Sequence, residues 1–340
     1  MKSETHPVEI EFLRGEIVES VHRAHYCIID SDGKILDHRG NPNLLTYLRS
    51  AAKPFQSMAV IISGAADKFE LTRAELGILC GSHGGEEYHI ETVREMLDRA
   101  GLSVNQLQCG IHSPLDKSAR IFLYKNENKP NLLHHTCSGK HTGMLLSALC
   151  NNVQLGNYLS RESEVQIRIN QLIAEFAGIE QSEIVIGTDG CSAPAHGLKL
   201  KSAALAYARF INPEGLSPEI TVAANRVSRA MRAFPEMVGA NQDRICTDLM
   251  RLGRVFNLTA KAGAEAFYSL GWKDPKTGRG IGMAIKVEDG AERARNPLII
   301  ELLQKYGIIP HDLSQSLLQY ASTNILNNNG KVVGRINVNN

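Results

Sequence analysis

The stretch Arg49-Ser50-Ala51-Ala52-Lys53-Pro54 constrains the structure around it more tightly than any other part of this 340-residue chain. Pro54 has no backbone N–H and is tolerated in a helix only within the first turn. A helix is therefore predicted to begin close to Ser50, which suits an N-cap, and to run to about Ile62. Side chains three residues apart share a helix face, so the Lys53 amine is expected about one turn from the Ser50 hydroxyl. This spacing is typical of a lysine that takes the proton from a serine.

A second serine and a late lysine follow in a characteristic order, in Gly81-Ser82-His83-Gly84 and in Lys261-Ala262-Gly263. A Ser-x-x-Lys motif, a serine on a glycine-rich loop and a late Lys-x-Gly are the layout of lysine-assisted serine acyl-transfer enzymes. Taken singly, each piece also has a plain interpretation: an N-cap serine beside a solvated lysine, an ordinary glycine-rich loop, a structural histidine. The catalytic interpretation requires an unprotonated lysine at position 53, which burial or a nearby cation such as Lys261 favours.

Composition and charge indicate a globular protein that acts on a small molecule. Hydrophobic residues make up 43% of the chain and charged residues 21%, and 37 Lys and Arg nearly balance 36 Asp and Glu. This balance argues against a nucleic-acid or acidic membrane partner. Residues 1–10 lack the apolar stretch of a signal peptide, and the longest apolar run, residues 58–62, is too short to cross a bilayer. Seven dispersed cysteines are typical of reduced thiols, so a cytoplasmic protein is expected.

Strand patterns lie at both ends of the chain and helical patterns in its middle. Residues 8–13 alternate, and residues 25–29 and 35–36 are predicted to form a hairpin across the turn 30–33. Residues 267–270 and 281–287 form a second predicted hairpin. Helices are predicted at 89–100, 142–150, 163–177, 203–210, 220–233 and 297–306. These patterns predict a single α/β domain over residues 1–340, with one sheet built from both chain ends in a lobe of about residues 1–85 and 236–340, and an inserted helical lobe of about residues 86–235.

Two compact polar loops are further candidates for a site. They read Thr136-Cys-Ser-Gly-Lys-His141 and Gly187-Thr-Asp-Gly-Cys191. Cys137 and Cys191 could be metal thiolates, a nucleophile and its partner, or plain reduced thiols. Without a Cys-x-x-Cys pair, their spacing alone favours reduced thiols over zinc. Asp189 suits a substrate ammonium group, but an aspartate in Thr-Asp-Gly is also common in turns.

The motifs, taken together and in order, resemble one enzyme family. From about residue 8 to residue 307 the chain is similar to the class 3 (rhizobial-type) L-asparaginases, an asparaginase II-like family distinct from the bacterial type I and II enzymes and from the plant type. The motifs that carry this resemblance are Val18-Glu-Ser-Val-His-Arg23, Gly40-Asn-Pro42, Arg49-Ser-Ala-Ala-Lys-Pro54, Ser82-His83, Cys137-Ser-Gly-Lys-His141, Thr188-Asp-Gly-Cys191, Phe234-Pro-Glu-Met237 and Val287-Glu-Asp-Gly290.

The resemblance implies hydrolysis of L-asparagine to L-aspartate and ammonia, by a homodimer whose fold is related to serine β-lactamases and glutaminases. It pairs Ser50 with Lys53 and Ser82 with Lys261 as two Ser-Lys tandems. It also implies a zinc site that modulates substrate binding and is not essential for the chemical step. The zinc ligands that it implies are Cys137, Lys140 and Cys191, with His141 and Asp189 beside them at the substrate.

The resemblance suggests a mechanism and leaves two other classes of function open. Ser50 is the expected nucleophile and Ser82 would relay protons, with the reverse assignment as the alternative. Backbone amides near Ser50 or in the loop 80–85 would form the oxyanion hole. Arg49 is the candidate cation for the substrate carboxylate. Gly84 departs from the family pattern, which has a serine there. The alternatives are another acyl-serine amidohydrolase, such as a glutaminase or a β-lactam- or peptide-directed enzyme, and a non-catalytic zinc- or amino-acid-binding protein.

Overall fold

The computed structural model describes residues 6–321 and 324–339. Residues 1–5, part of the segment expected not to be a signal peptide, lie outside the described residues. The strands, in chain order, are β1 (Val8–Arg14), β2 (Ile17–Asp30), β3 (Ile35–Arg39), β4 (Leu45–Tyr47), β5 (Val185–Thr188), β6 (Pro194–Lys199), β7 (Thr259–Ala262), β8 (Phe267–Lys273), β9 (Gly280–Val287), β10 (Asn324–Leu326) and β11 (Val332–Asn339). The α-helices, in chain order, are α1 (Lys53–Ile62), α2 (Ala65–Lys68), α3 (Arg73–Leu79), α4 (Glu87–Arg99), α5 (Lys117–Lys125), α6 (Ser138–Cys150), α7 (Glu164–Ala177), α8 (Leu200–Ile211), α9 (Pro218–Ala233), α10 (Pro235–Val238), α11 (Ile245–Leu252), α12 (Glu292–Lys305) and α13 (Gln315–Leu318).

The chain forms two compact units, and the first contains the large sheet. This unit comprises residues 1–51, 198–212 and 252–340. Its strands follow the order β10-β11-β1-β2-β9-β8-β7, with β3 paired to β2. Antiparallel pairing of β1 with β11 joins the two ends of the chain, with Ile10 opposite Val338. The α/β class with a sheet built from both chain ends is therefore confirmed.

Both predicted hairpins form, and small residues let a helix cover the sheet closely. In the first hairpin the Asp30 carboxylate accepts the amides of Asp32 and Lys34, which closes the turn between β2 and β3. Helix α8 packs against β9 within the first unit. A Cβ added at Gly282 would lie 2.0 Å from the Ala204 carbonyl oxygen of that helix. Only glycine permits this approach.

The second unit, residues 52–197 and 213–251, is mainly helical. Helix α1 packs against α6, α7 and α9, and α3 packs against α6 and α9. These contacts place α1 and α3 with the helices that follow them, so the unit begins at residue 52 and not near 86 as the sequence suggested. Helix α8 belongs to the first unit because it packs on the sheet. Within the described residues, no helix has the length and apolar character needed to cross a membrane.

Several helices start a few residues from the predicted position, and two of these differences, at α1 and α12, concern the rules on capping and proline. Ser50 is not the N-cap of α1: residues Arg49–Ala52 form a 3-10 turn, and α1 starts at Lys53 with Ala52 as a cap that makes no side-chain hydrogen bond. Pro54 does lie in the first turn, and the helix ends at Ile62 as predicted. Helix α12 begins at Glu292, so Pro297 lies inside it and does not start it.

Candidate active site

Lys53 and Ser82 form a buried pair in the second unit. Lys53 is 1% exposed at the first position of α1. Its Nζ donates to Ser82 Oγ at 3.0 Å and also to the Gly81 carbonyl. A buried amine in contact with a serine hydroxyl is the arrangement needed for proton exchange between lysine and serine. The serine that contacts Lys53 in this unit is therefore Ser82, whereas the sequence analysis had paired Lys53 with Ser50.

The backbone of Ser82 is held on both sides. Its N–H donates to the Val238 carbonyl at 2.9 Å, and its carbonyl accepts from Arg244 Nη2 at 2.8 Å. At Gly81 an added Cβ would lie 2.6 Å from the Met237 carbonyl oxygen, so the preceding position admits only glycine. These contacts fix the position of the Ser82 hydroxyl. Arg244 was not singled out from the sequence, because nothing local marks a contact between residues so far apart in the chain.

Most amides of the loop that carries Ser82 are already used. The amides of residues 80, 81, 82 and 83 donate to the carbonyls of Gly77, Ile78, Val238 and Thr136. Among the described residues, no hydrogen-bond acceptor is found for the amides of Gly84 and Gly85. Any oxyanion donor from this loop therefore comes from Gly84 or Gly85 and not from the amide of Ser82.

Ser50 and Lys261 lie in the first unit. Ser50 follows Arg49, whose φ of 50° is in the left-handed region that a non-glycine residue rarely adopts. The Tyr207 hydroxyl donates to the Ala51 carbonyl at 2.9 Å and so holds this turn from α8. Lys261, on β7, is 2% exposed, and its Nζ donates to the Ala262 carbonyl at 3.1 Å. Strained backbone of this kind is found more often at functional positions, so the strain at Arg49 makes the adjacent Ser50 a candidate functional residue.

Cys137, Lys140 and Cys191 come together in the second unit. Cys137 directly precedes α6, Lys140 lies in its first turn, and Cys191 follows β5. Lys140 is 5% exposed, and its Nζ donates to Cys191 Sγ at 2.9 Å. The structure thus brings together two sulfurs and one amine from the start of α6 and from the segment after β5. Lys140 and Cys191 are 51 residues apart in the chain.

Charge is unevenly shared within this cluster. A hydrogen bond from the Cys191 thiol lowers the pKa of Cys137 well below its usual value, and the positive charges of Lys53 and Lys140 add to the effect. The same bond to Cys137 raises the pKa of Cys191. Burial opposes the charge on Lys140, but the sulfurs of Cys137 and Cys191 raise the pKa of its amine. These interactions favour the charged forms of the Cys137 thiol and the Lys140 amine over the charged form of Cys191.

The donor set is compatible with zinc. No three His, Cys, Asp or Glu side chains in the part of the chain that the structure describes are grouped closely enough to hold a metal ion. Any site at Cys137 and Cys191 therefore depends on the amine of Lys140 as a further ligand. Two sulfurs and a nitrogen suit a borderline-soft ion such as zinc. His135 Nδ1 accepts a hydrogen bond from the Cys137 amide. The motif singled out from the sequence begins at residue 136 and does not include this histidine.

The neighbouring histidines are neutral. Burial lowers the pKa of His83 and of His141 well below the usual value. Ser138 Oγ donates to the Leu133 carbonyl, so His83 Nε2, 2.9 Å away, is the donor to Ser138. His83 is thus a structural donor, and the hydroxyl that it contacts is not that of Ser82. His141 Nδ1 lies 2.7 Å from the Tyr158 hydroxyl, and its buried Nε2 has no hydrogen-bond partner among the described residues.

Asp189 and Gly84 complete the set of predicted positions. Asp189 lies in a turn, where its Oδ1 accepts the Gly190 amide at 2.6 Å. This is the turn geometry that its sequence context suggested. Gly84 stands where an added Cβ would lie 3.0 Å from Cβ of Ala240 and 3.1 Å from Cβ of Asp116. The serine expected by the family pattern therefore has little room here.

The chain matches one protein family over almost its full length. The model of the L-asparaginase II family matches residues 10–338. No curated protein matches the chain. The fold is similar to that of a β-lactamase from Sphaerobacter thermophilus DSM 20745, at 15% identity, covering 85% of this chain and 93% of that one, with a TM-score of 0.44. It is also similar to Mglu in its Tris and glutamate form, at 13% identity, over 91% of this chain and 65% of that one, with a TM-score of 0.46. For a Bacillus glutaminase the identity is 13%, the coverage 84% and 91%, and the TM-score 0.37.

Proposed function

The chain belongs to the L-asparaginase II family, and on that basis we propose that it hydrolyses L-asparagine to L-aspartate and ammonia. Family membership supports a hydrolase that acts on amides. Among this chain's own residues, the proposal is supported mainly by the 3.0 Å contact between Lys53 Nζ and Ser82 Oγ, which is buried inside the second unit. A lysine–serine pair of this kind supplies the proton transfers that acyl transfer through a serine needs.

The proposed reaction has two steps. A serine hydroxyl attacks the side-chain amide carbon, a lysine amine takes the serine proton and passes it to the amide nitrogen, and the C–N bond breaks with release of ammonia. Water then attacks the acyl-enzyme ester, and the serine recovers its proton as aspartate is released. We assign the attack to Ser50, the serine that the family resemblance pairs with Lys53, and proton transfer to Lys53 and Ser82, with Lys261 as the second lysine.

The cysteine cluster is proposed to hold zinc. Cys137, Cys191 and Lys140 would be its ligands, and a bound zinc ion would supply a fixed positive charge that favours substrate binding. In the ion's absence Lys140 keeps a positive charge in the same place, where it donates to Cys191. His141 and Asp189 are proposed to contact the substrate, because both lie in the same unit and close in sequence to this cluster.

Ammonia release by the purified protein tests this proposal. Ammonia release is measured from asparagine and glutamine, and the absorbance change of a chromogenic β-lactam is measured in parallel, each with and without added zinc. We expect turnover of asparagine above the other two. Turnover of glutamine or the β-lactam alone would indicate another amidohydrolase of this fold. Binding of asparagine without ammonia release would indicate a non-catalytic protein.

The assignment of the serine and lysine is tested by two substitutions. Ser50→Ala should reduce asparagine turnover by at least ~100-fold, since the nucleophile is removed, and Lys53→Arg by a similar factor, since a guanidinium keeps the charge but does not accept a proton. Ser63→Ala is the control, because this serine is the C-cap of α1 and its hydroxyl contacts the Val60 carbonyl, the Ser147 hydroxyl and the Ala65 amide. Near-normal turnover in a folded Ser50→Ala protein would show that Ser50 is not the nucleophile and would assign that role to Ser82.

A further inference from the structure

Arg244 lies beside the lysine–serine pair and has unused donors. It is partly buried in the segment between α10 and α11, and its Nη2 donates to the Ser82 carbonyl at 2.8 Å. Its stem packs on Gly239, where an added Cβ would lie 3.2 Å from Cβ of Arg244. A guanidinium carries five N–H donors, and within residues 6–321 and 324–339 this contact with Ser82 is its one hydrogen bond.

The charge of Arg244 is not balanced by a neighbouring acid. No carboxylate oxygen of the described chain lies within 4.0 Å of its guanidinium. Glu236, an acid of the preceding helix α10, faces Arg251 at 3.7 Å, and Arg251 also donates to the Asn241 carbonyl. A partly buried charge without a counter-ion is costly unless an anion arrives from outside the chain. The position of Arg244 on the Ser82 carbonyl places that anion next to the proposed reaction centre.

We propose that Arg244 binds the α-carboxylate of the substrate amino acid and so selects free amino acids over other amides. This inference rests on the proposed asparaginase function. Asparagine carries one carboxylate, and the free N–H groups of a guanidinium match its two oxygens in a bidentate pair. Arg49, the cation singled out from the sequence, lies in the first unit beside Ser50, and the test below compares it with Arg244. Arg244 lies in the same unit as Ser82 and Lys53, and it contacts Ser82 directly.

The test compares two ligands that differ only in the α-carboxylate. L-Aspartate carries it, and β-alanine is the same molecule without it. Binding of both is measured by calorimetry on the wild type and on the Arg244→Gln, Arg244→Lys, Arg49→Gln and Arg251→Gln variants. We expect the wild type to prefer aspartate by ~10-fold or more, Arg244→Gln to lose that preference, and Arg244→Lys to keep part of it. Arg251→Gln, the matched control, and Arg49→Gln should keep the preference in full.

Each other outcome overturns the proposal. A wild type that binds both ligands equally, or an Arg244→Gln protein that keeps the preference, would show that Arg244 does not receive the carboxylate. Loss of preference in Arg49→Gln alone would assign the role to Arg49. Equal weakening of both ligands in Arg244→Gln would mean that Arg244 only positions Ser82. Failure of the proposed function is separate, because it is seen as a wild type that binds aspartate yet releases no ammonia from asparagine.

Discussion

At the residue scale, Gly84 stands in a space too small for a side chain. An added Cβ would lie 3.0 Å from Cβ of Ala240 and 3.1 Å from Cβ of Asp116, and neither atom belongs to a flexible side-chain end. Gly84→Ala should therefore lower the free energy of unfolding by ~1–3 kcal/mol through overpacking. Gly156→Ala is the control, since nothing lies within 4 Å of a Cβ added there. Urea unfolding of both variants measures the difference, and equal stabilities would show that the loop moves aside freely.

Single residues also show which parts of the site can be predicted from sequence. Lys53, Ser82, Cys137 and Cys191 were all singled out from short motifs, because spacing and residue type are local properties. The contact of Lys53 with Ser82 was not predicted. It depends on where the loop after α3 is held, and the Val238 carbonyl and Arg244 hold it from a segment more than 150 residues later. A contact between residues this far apart in the chain cannot be predicted from local sequence patterns.

At the scale of elements, the two ends of α6 offer a matched test of the metal site. Cys137 precedes the helix with Lys140 in its first turn, whereas Cys150 is its last residue. Replacing Cys137 and Cys191 together by serine should abolish zinc uptake, since serine is a poor zinc ligand. The Cys150→Ser variant should bind zinc as the wild type does. Elemental analysis after dialysis against zinc measures both. Equal zinc content in the double variant and the wild type would show that these cysteines are structural thiols.

Elements with local end signals were predicted well, and those without were not. Helix α7 lies within one residue of its predicted range, 163–177: Ser163 caps its start, and Gly178, with φ of 65°, ends it. The start of α12 was placed at Pro297, where the rule on proline in the first turn applies. The helix begins earlier, and within it Arg295 is 3% exposed with its guanidinium over the Tyr268 ring. Burial of this turn against the sheet outweighs the hydrogen bond lost at proline.

The motif at residues 287–290, which contributed to the family resemblance, connects elements of the first unit. The Asp289 carboxylate lies 2.6 Å from His22 Nδ1, and the Glu288 carboxylate lies 2.8 Å from His25 Nε2. Both histidines are on β2, and both acids follow β9. This part of the family pattern therefore stabilises the sheet.

At the scale of the whole molecule, the sheet was predicted in outline and not in detail. Strand patterns at both chain ends indicated one sheet, but β11 was not predicted. Its residues 332–339 alternate weakly and are mostly half-buried. Its place is set by pairing with β1, a contact between residues more than 300 positions apart. The lobe boundary was placed near residue 85 because helix packing, which assigns α1 and α3, cannot be read from local patterns.

Buried neutral histidines make the stability of the molecule sensitive to acid. Burial lowers the pKa of His196 from its ordinary 6.5 to about 3, while its Nε2 lies 3.0 Å from Asn170 Oδ1. Below pH 6.5 the unfolded chain takes up a proton that the folded chain does not hold. Stability is therefore full above that pH and falls as the pH drops toward the folded value. Each pKa unit corresponds to ~1.4 kcal/mol, so His196 alone should cost ~2 kcal/mol at pH 5 relative to pH 7.

Burial also lowers the pKa of His89, to about 4, so this histidine too loses stability as the pH falls. The total destabilisation by acid should therefore be larger than His196 alone produces. Urea unfolding at pH 7 and pH 5 measures the total. His196→Gln removes one titrating group and should reduce the loss of stability between the two pH values by ~2 kcal/mol, whatever its effect at pH 7. His112→Gln, at an exposed position, should leave the loss unchanged. If wild type and His196→Gln lose the same stability on acidification, His196 is protonated in the folded chain as readily as in the unfolded one, and its buried Nδ1 must then find an acceptor that the described residues do not offer.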